Sequence, residues 1–136
     1  MILGLEWIQK SGLNPGLVLK VDDDVMINPV RIWNLYREFR NGNADLSQAD
    51  MIGPRLSSKP MRRPDAKWYL PVEFYQGDNL PPIVAGHSTI YAGRAVPDLY
   101  KCAMESDYVN LEDVMITGIC GTEKLGMKIQ HRQEEG

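Results

Sequence analysis

The chain has 136 residues, 43% of them hydrophobic and 24% charged, which is about the size of one ordinary domain. Fifteen lysines and arginines against eighteen aspartates and glutamates leave a net charge of −3, so bulk charge gives no attraction to nucleic acid and no nucleic-acid partner is expected. Twelve glycines and nine prolines are too few for a disordered or collagenous chain, no apolar run approaches the ~20 residues that span a bilayer, and the N-terminus lacks the regions of a signal peptide.

In residues 2–10, Leu3 pairs with Trp7 and Leu5 with Ile8 at helical spacing, which predicts a helix. Its apolar pattern begins at the first Met without a cap, the pattern of a longer domain cut just upstream, so a truncated N-terminus is expected. Asn14-Pro15-Gly16 marks a turn before LVLKV, a buried strand that ends at Asp22. Asn28-Pro29 is an N-cap followed by a first-turn proline, and Ile32, Leu35, Tyr36 and Phe39 continue a helix to Asn41-Gly42. Beyond the short apolar Met51-Ile52, residues 55–67 read as a loop holding Arg55, Lys59, Arg62, Arg63 and Lys67 against Asp65 alone, a local balance of +4. Prolines 71, 81 and 82 mark irregular backbone before a strand from Ile83 to Tyr91 interrupted by Gly86. Val96, Leu99, Tyr100 and Ala103 form another helical stripe. Val114, Met115, Ile119 and Leu125 share a last helix ending at Gly126, with a short strand over 127–129. The alternation predicts an α/β fold in one domain over residues 1–136.

Three constellations carry chemistry. Asp22-Asp23-Asp24 stands where an apolar strand runs out, the edge at which open α/β sheets bind ligands. Strand alternation sends Asp22 and Asp24 to one side, where two carboxylates converge on one divalent cation; the alternative is a solvated acidic turn. Glu112-Asp113 precedes a helix, where acidic residues cap; if it shares a cleft with the triplet, one cluster holds a metal and the other acts as general base. Lys67-Trp68-Tyr69 sets an indole and a phenol beside cations, suited to stacking on a sugar ring or base and contacting phosphate, or simply solvated with its aromatics in the core. His87 reads as a hydrogen-bonded structural histidine. Cys102 and Cys120 are too few for a disulfide framework, match neither a CxxC pair nor a zinc ribbon, and read as small buried hydrophobes.

The ordered strings KVDDDVMIN, KWYLP, PPIVAGHSTIYAG and YVNLEDVMITGI resemble the β-1,3-galactosyltransferases and β-1,3-N-acetylglucosaminyltransferases of glycosyltransferase family 31, over nearly the whole chain. The resemblance implies a GT-A-like mixed sheet flanked by helices, with this chain the C-terminal portion of the catalytic domain. It implies an inverting hexosyltransferase that moves galactose or N-acetylglucosamine from UDP-galactose or UDP-N-acetylglucosamine to a glycan acceptor with the help of Mn²⁺. By that match Asp24 and Asp22 would hold the metal, Asp22 and Asp23 the donor, Asp113 would be the catalytic base, and Trp68, Tyr69 and Glu112 would line the acceptor side. The family also implies residence on the lumenal side of the Golgi membrane through an anchor absent here. This chain departs from the family by carrying Gly86-His87-Ser88-Thr89 where many members have a glycine-rich string, and His131 arrives earlier than the family's metal histidine. The competing class is an inactive fragment or relative that binds a nucleotide-sugar or a partner enzyme without turnover; an unrelated acidic metal-binding domain leaves the KWY and EDV spacings unexplained.

Overall fold

The computed structural model describes residues 2–42 and 44–132. The chain runs α1 (Ile2–Ser11), β1 (Leu17–Val21), α2 (Pro29–Arg40), α3 (Ala44–Ser47), β2 (Met51–Gly53), β3 (Arg55–Leu56), β4 (Ile83–Val84), β5 (Ser88–Ala92), a 3-10 turn (Gly93–Ala95), α4 (Val96–Glu105), a π-helix (Val114–Lys124) and β6 (Ile129–His131). Met1, where the apolar pattern of the first helix begins in the sequence, lies outside the described residues.

Local signals account for several elements. The Asn28 side chain accepts hydrogen bonds from the backbone N–H groups of Val30 and Arg31 at 3.1 and 3.3 Å, satisfying two donors that helix α2 leaves without partners. Pro29 occupies a position whose N–H is not needed, and the helix closes at Asn41, after which Gly42 takes φ +81°. Gly126, at φ +64°, follows the last helix in the same way.

Strands β1, β5, β2 and β6 lie side by side in that order, with β5 antiparallel to β1 and β2, and β6 parallel to β2. Met51 pairs with Tyr91 and Ile52 with Ile90, so strand alternation sends the first pair to one face and the second to the other. On the first face Met51 and Tyr91 pack with Leu5 of α1, Leu99 of α4 and Ile116 of the π-helix. On the second, Ile52 and Ile90 pack with Leu35 of α2 and Leu46 of α3. Full burial of a leucine such as Leu5, Leu35 or Leu99 contributes roughly 2 kcal/mol each. The result is a mixed sheet flanked by helices on both faces, the α/β architecture expected from the sequence.

The differences arise where pairing is non-local. The strand expected from Ile83 to Tyr91 is two strands in different sheets: β4 pairs with β3, and β5 lies between β1 and β2. Residues 55 and 56, read as loop, become β3 because Arg55 and Leu56 pair with Val84 and Ile83. The last strand lies at 129–131 rather than 127–129, since Met51 pairs with Ile129 and Gly53 with His131. The last helix is wound as a π-helix, closed by a hydrogen bond from the Leu125 N–H to the Cys120 carbonyl at 3.0 Å. Gly118 and Gly121 sit where a Cβ would meet Ile83 and the Met51 side chain at 2.7 Å, so the backbone of this helix lies directly on β4 and β2.

Cys102 and Cys120 form a disulfide joining α4 to the π-helix, with Cα atoms 5.8 Å apart. This corrects the reading of both residues as unbonded hydrophobes. The sequence separation of 18 has no signature of its own, and the packing of Leu99 and Ile116 in one core brings the two sulfurs together.

Candidate active site

The site forms where three segments meet at the end of β1. The first is the acidic triplet. Strand β1 stops at Val21, and Asp23 and Asp24 lie in a turn closed by a hydrogen bond from the Val25 N–H to the Asp22 carbonyl at 3.2 Å. Strand alternation therefore does not extend through the triplet and does not direct Asp22 and Asp24 to one side, contrary to the expectation from the sequence. All three aspartates are exposed.

The second segment is the turn between β4 and β5. Its His87 carbonyl accepts from the Asp22 N–H at 3.1 Å, and the Thr89 hydroxyl donates to the Ala85 carbonyl at 3.2 Å. Gly86 packs on Asp113: a Cβ at this glycine would lie 3.3 Å from the Asp113 Cβ and 3.4 Å from its Oδ2.

The third segment is the start of the π-helix. Asp113 is its N-cap, accepting the Val114 N–H on Oδ1 at 2.8 Å, while the Thr117 hydroxyl donates to the Asp113 carbonyl at 2.6 Å. That same hydroxyl accepts from the Val84 N–H at 3.1 Å, fixing the helix start to β4. The capping role anticipated for this pair is thus observed at Asp113, and it holds one carboxylate oxygen while leaving Oδ2 toward Gly86.

Lys20 joins the segments. Its ammonium lies 3.1 Å from Asp22 Oδ1 and 3.6 Å from Glu112 Oε1, and it donates to the Gly86 carbonyl. The two acidic clusters therefore flank one cation. Beneath them Tyr91 is buried, and burial, then the negative charges of Glu112 and Asp113, push its phenol well above the ordinary value.

The aromatic pair sits one loop away. The Asn110 side-chain amide donates to the Tyr69 carbonyl at 2.8 Å, tying the Trp68–Tyr69 segment to the residues just before Glu112 and Asp113. Trp68 is 63% exposed with the Lys67 ammonium 4.8 Å from its ring centre. Nearby, Phe74 and Tyr108 meet edge to face at 5.3 Å. One cation of the basic loop is structural: the Arg62 guanidinium donates to the carbonyls of Leu70 and Gly77 at 2.7 and 3.0 Å. His131 is placed elsewhere, on the sheet edge opposite β1, its Nδ1 accepting from the Arg55 N–H at 3.0 Å.

Among the described residues no three Asp, Glu, His or Cys side chains converge closely enough to enclose a metal ion. The triplet is nevertheless a set of hard carboxylate oxygens, the donor type that suits a manganese- or magnesium-like dication completed by water and phosphate oxygens.

A sequence model for the galactosyltransferase family matches residues 1–134. The chain belongs to the galactosyltransferase family. It is 26% identical over 129 residues to beta-1,3-galactosyltransferase 5 of Homo sapiens, covering 95% of this chain and 40% of that protein. Against beta-1,3-galactosyltransferase 1 of Mus musculus it is 26% identical over 126 residues, 93% of this chain and 37% of that one. The chain spans about two fifths of the length of the curated relatives it matches. Two residues that interact with the acidic clusters, Lys20 and Tyr91, escape sequence reasoning. Lys20 stands in an apolar run as a lone cation, a weak signal, and Tyr91 carries none beyond its place in a strand.

Proposed function

We propose that this chain is the C-terminal part of a single GT-A-type catalytic domain that transfers galactose from UDP-galactose to a glycan hydroxyl in β-1,3 linkage, with inversion. The observation that carries the reading is the cluster of contacts in which Lys20 brings the Asp22 turn to the Glu112–Asp113 helix start while Gly86 packs on Asp113. The names of the relatives favour galactose over N-acetylglucosamine as the transferred sugar.

In this reading Asp22 and Asp24 would hold Mn²⁺, and Asp22 and Asp23 would face the donor nucleotide. Bound there, the dication would supply charge neutralisation for the departing UDP. The acceptor hydroxyl oxygen attacks the anomeric carbon as its bond to the UDP oxygen breaks, and Asp113 accepts the hydroxyl proton on Oδ2. The Val114 N–H on Oδ1 keeps that carboxylate oriented. Trp68 and Tyr69 offer faces to the acceptor sugar, with Glu112 at the same edge. The Cys102–Cys120 bond supports an oxidising compartment, consistent with the lumenal side of the Golgi membrane. No described helix is long and apolar enough to cross a membrane, so the reading places any anchor outside these helices.

Thermal unfolding with Mn²⁺ and UDP tests the donor site. Saturation at 100 times Kd adds about 2.7 kcal/mol, roughly a 9 °C rise for a chain of this size, and Asp24→Ala should abolish it. Asp113→Asn should keep that rise and lose transfer by a factor of about 10² to 10⁴. Full transfer in Asp113→Asn would refute the base assignment. Binding of Mn²⁺ and UDP with no turnover in the unaltered chain would favour the second reading, a donor-binding relative.

A further inference from the structure

The Lys20 side chain is 25% exposed, more enclosed than either of its carboxylate partners, Asp22 at 48% and Glu112 at 46%. Its three partners come from three stretches of chain that no sequence proximity holds together: the turn after β1, the turn between β4 and β5, and the start of the π-helix. Strand pairing explains its position, since Lys20 faces Thr89 across β1 and β5 and its ammonium reaches back over the turn that precedes β5.

We propose that Lys20 is a positioning residue of the transfer site, a tie that sets the acidic turn of the donor side at a fixed separation from the Glu112–Asp113 helix start of the acceptor side. This rests on the functional reading above. An ammonium between two carboxylates cancels their mutual repulsion, and its third bond to the Gly86 carbonyl anchors it to the turn that packs on Asp113. Remove the charge and the Asp22 and Glu112 carboxylates lose the cation between them, while the Gly86 carbonyl loses a donor. The segments then separate, and Asp113 shifts with them. Stability changes little, because half-exposed ion pairs are screened by water; alignment changes more, because catalysis is sensitive to displacements of about 1 Å.

The test uses the full chain with Lys20→Met, Lys20→Arg and a control, Lys10→Met, which removes only the exposed pair with Glu6. The first readout is amide hydrogen exchange. The Asp22 N–H, bonded to the His87 carbonyl, and the Val114 N–H, bonded to Asp113, should both exchange about tenfold faster in Lys20→Met and not in Lys10→Met. Unchanged exchange at both amides overturns the proposal whether or not the chain turns over substrate. The second readout is kinetic: with UDP-galactose as donor, kcat should fall by about 10- to 100-fold in Lys20→Met while the Kd for UDP in the presence of Mn²⁺ stays within about threefold. Lys20→Arg, which keeps the charge and can bridge two carboxylates, should recover most of the loss. A parallel loss of UDP affinity, or Arg no better than Met, would show a donor ligand or a purely structural residue instead. If the unaltered chain neither binds UDP nor transfers sugar, the functional reading fails, and the exchange measurement still decides whether Lys20 ties the segments.

Discussion

Breaking the Cys102–Cys120 bond should unfold this protein at a markedly lower temperature and act first on the end of the chain that carries Asp113. The bond closes a loop of 18 residues between α4 and the π-helix, and that loop contains Glu112 and Asp113. In the chain-entropy account, a cross-link over such a loop removes about 3 kcal/mol of conformational freedom from the unfolded state. Unfolding entropy of ~2.1 cal/mol/K per residue over this length comes to about 0.29 kcal/mol/K, so the loss corresponds to a fall of about 10 °C in Tm. The assay is thermal unfolding by circular dichroism with and without a phosphine reductant, repeated on the double variant Cys102→Ala, Cys120→Ala. Because both cysteines are buried among Leu99, Val114 and Ile116, reduction leaves the packing atoms in place and isolates the cross-link from cavity effects. The native chain should also resist alkylation until it is reduced. A shift below about 3 °C on reduction, or the same reductant effect in the variant that lacks both thiols, would falsify the assignment of this stabilisation to the disulfide.

Two further outcomes follow from the contacts around Asp113. Gly86→Val should displace the Asp113 carboxylate, since a Cβ there already reaches 3.3 Å from the Asp113 Cβ and the added methyls extend farther; transfer should drop about 10²-fold and Gly86→Ala only several-fold, with kcat that is unaltered in the valine variant refuting the packing argument. For Tyr91 the folded protein holds the phenolic proton more tightly than the unfolded chain, whose ordinary value is 10.0, because of burial first and the charges of Glu112 and Asp113 second. That stability is fully present below about pH 10 and is lost as pH rises beyond it, by about 1 kcal/mol at pH 11, so Tyr91→Phe should show a shallower alkaline fall in Tm; equal slopes between pH 9 and 11 would count against a buried, un-ionised phenol.

What the sequence by itself determined was carried by short-range signals. Asn28 and Pro29 set the start of α2 because a side-chain acceptor and a missing N–H act within one helical turn. The run LVLKV announces β1 as a strand, though as an edge strand it is half-buried rather than buried, and the acidic triplet stands in the turn at its end. The order of the KVDDD, KWY and EDV strings was enough to point to the family that the comparison with known proteins then showed. Tertiary structure decided everything that depends on which distant segments meet. It divided residues 83–92 between two sheets, because Ile83 and Val84 find partners in β3 while Thr89 to Ala92 find theirs in β1. It turned Asp23 and Asp24 out of the strand, closing a turn that no alternation rule foresees. It paired Cys102 with Cys120 through the packing of two helices, and it laid Lys20 between carboxylates 2 and 92 residues away in the chain. A lone lysine in an apolar strand carries no mark of its partners, because Coulomb attraction and hydrogen bonding act over a few ångströms of space whatever the separation along the backbone.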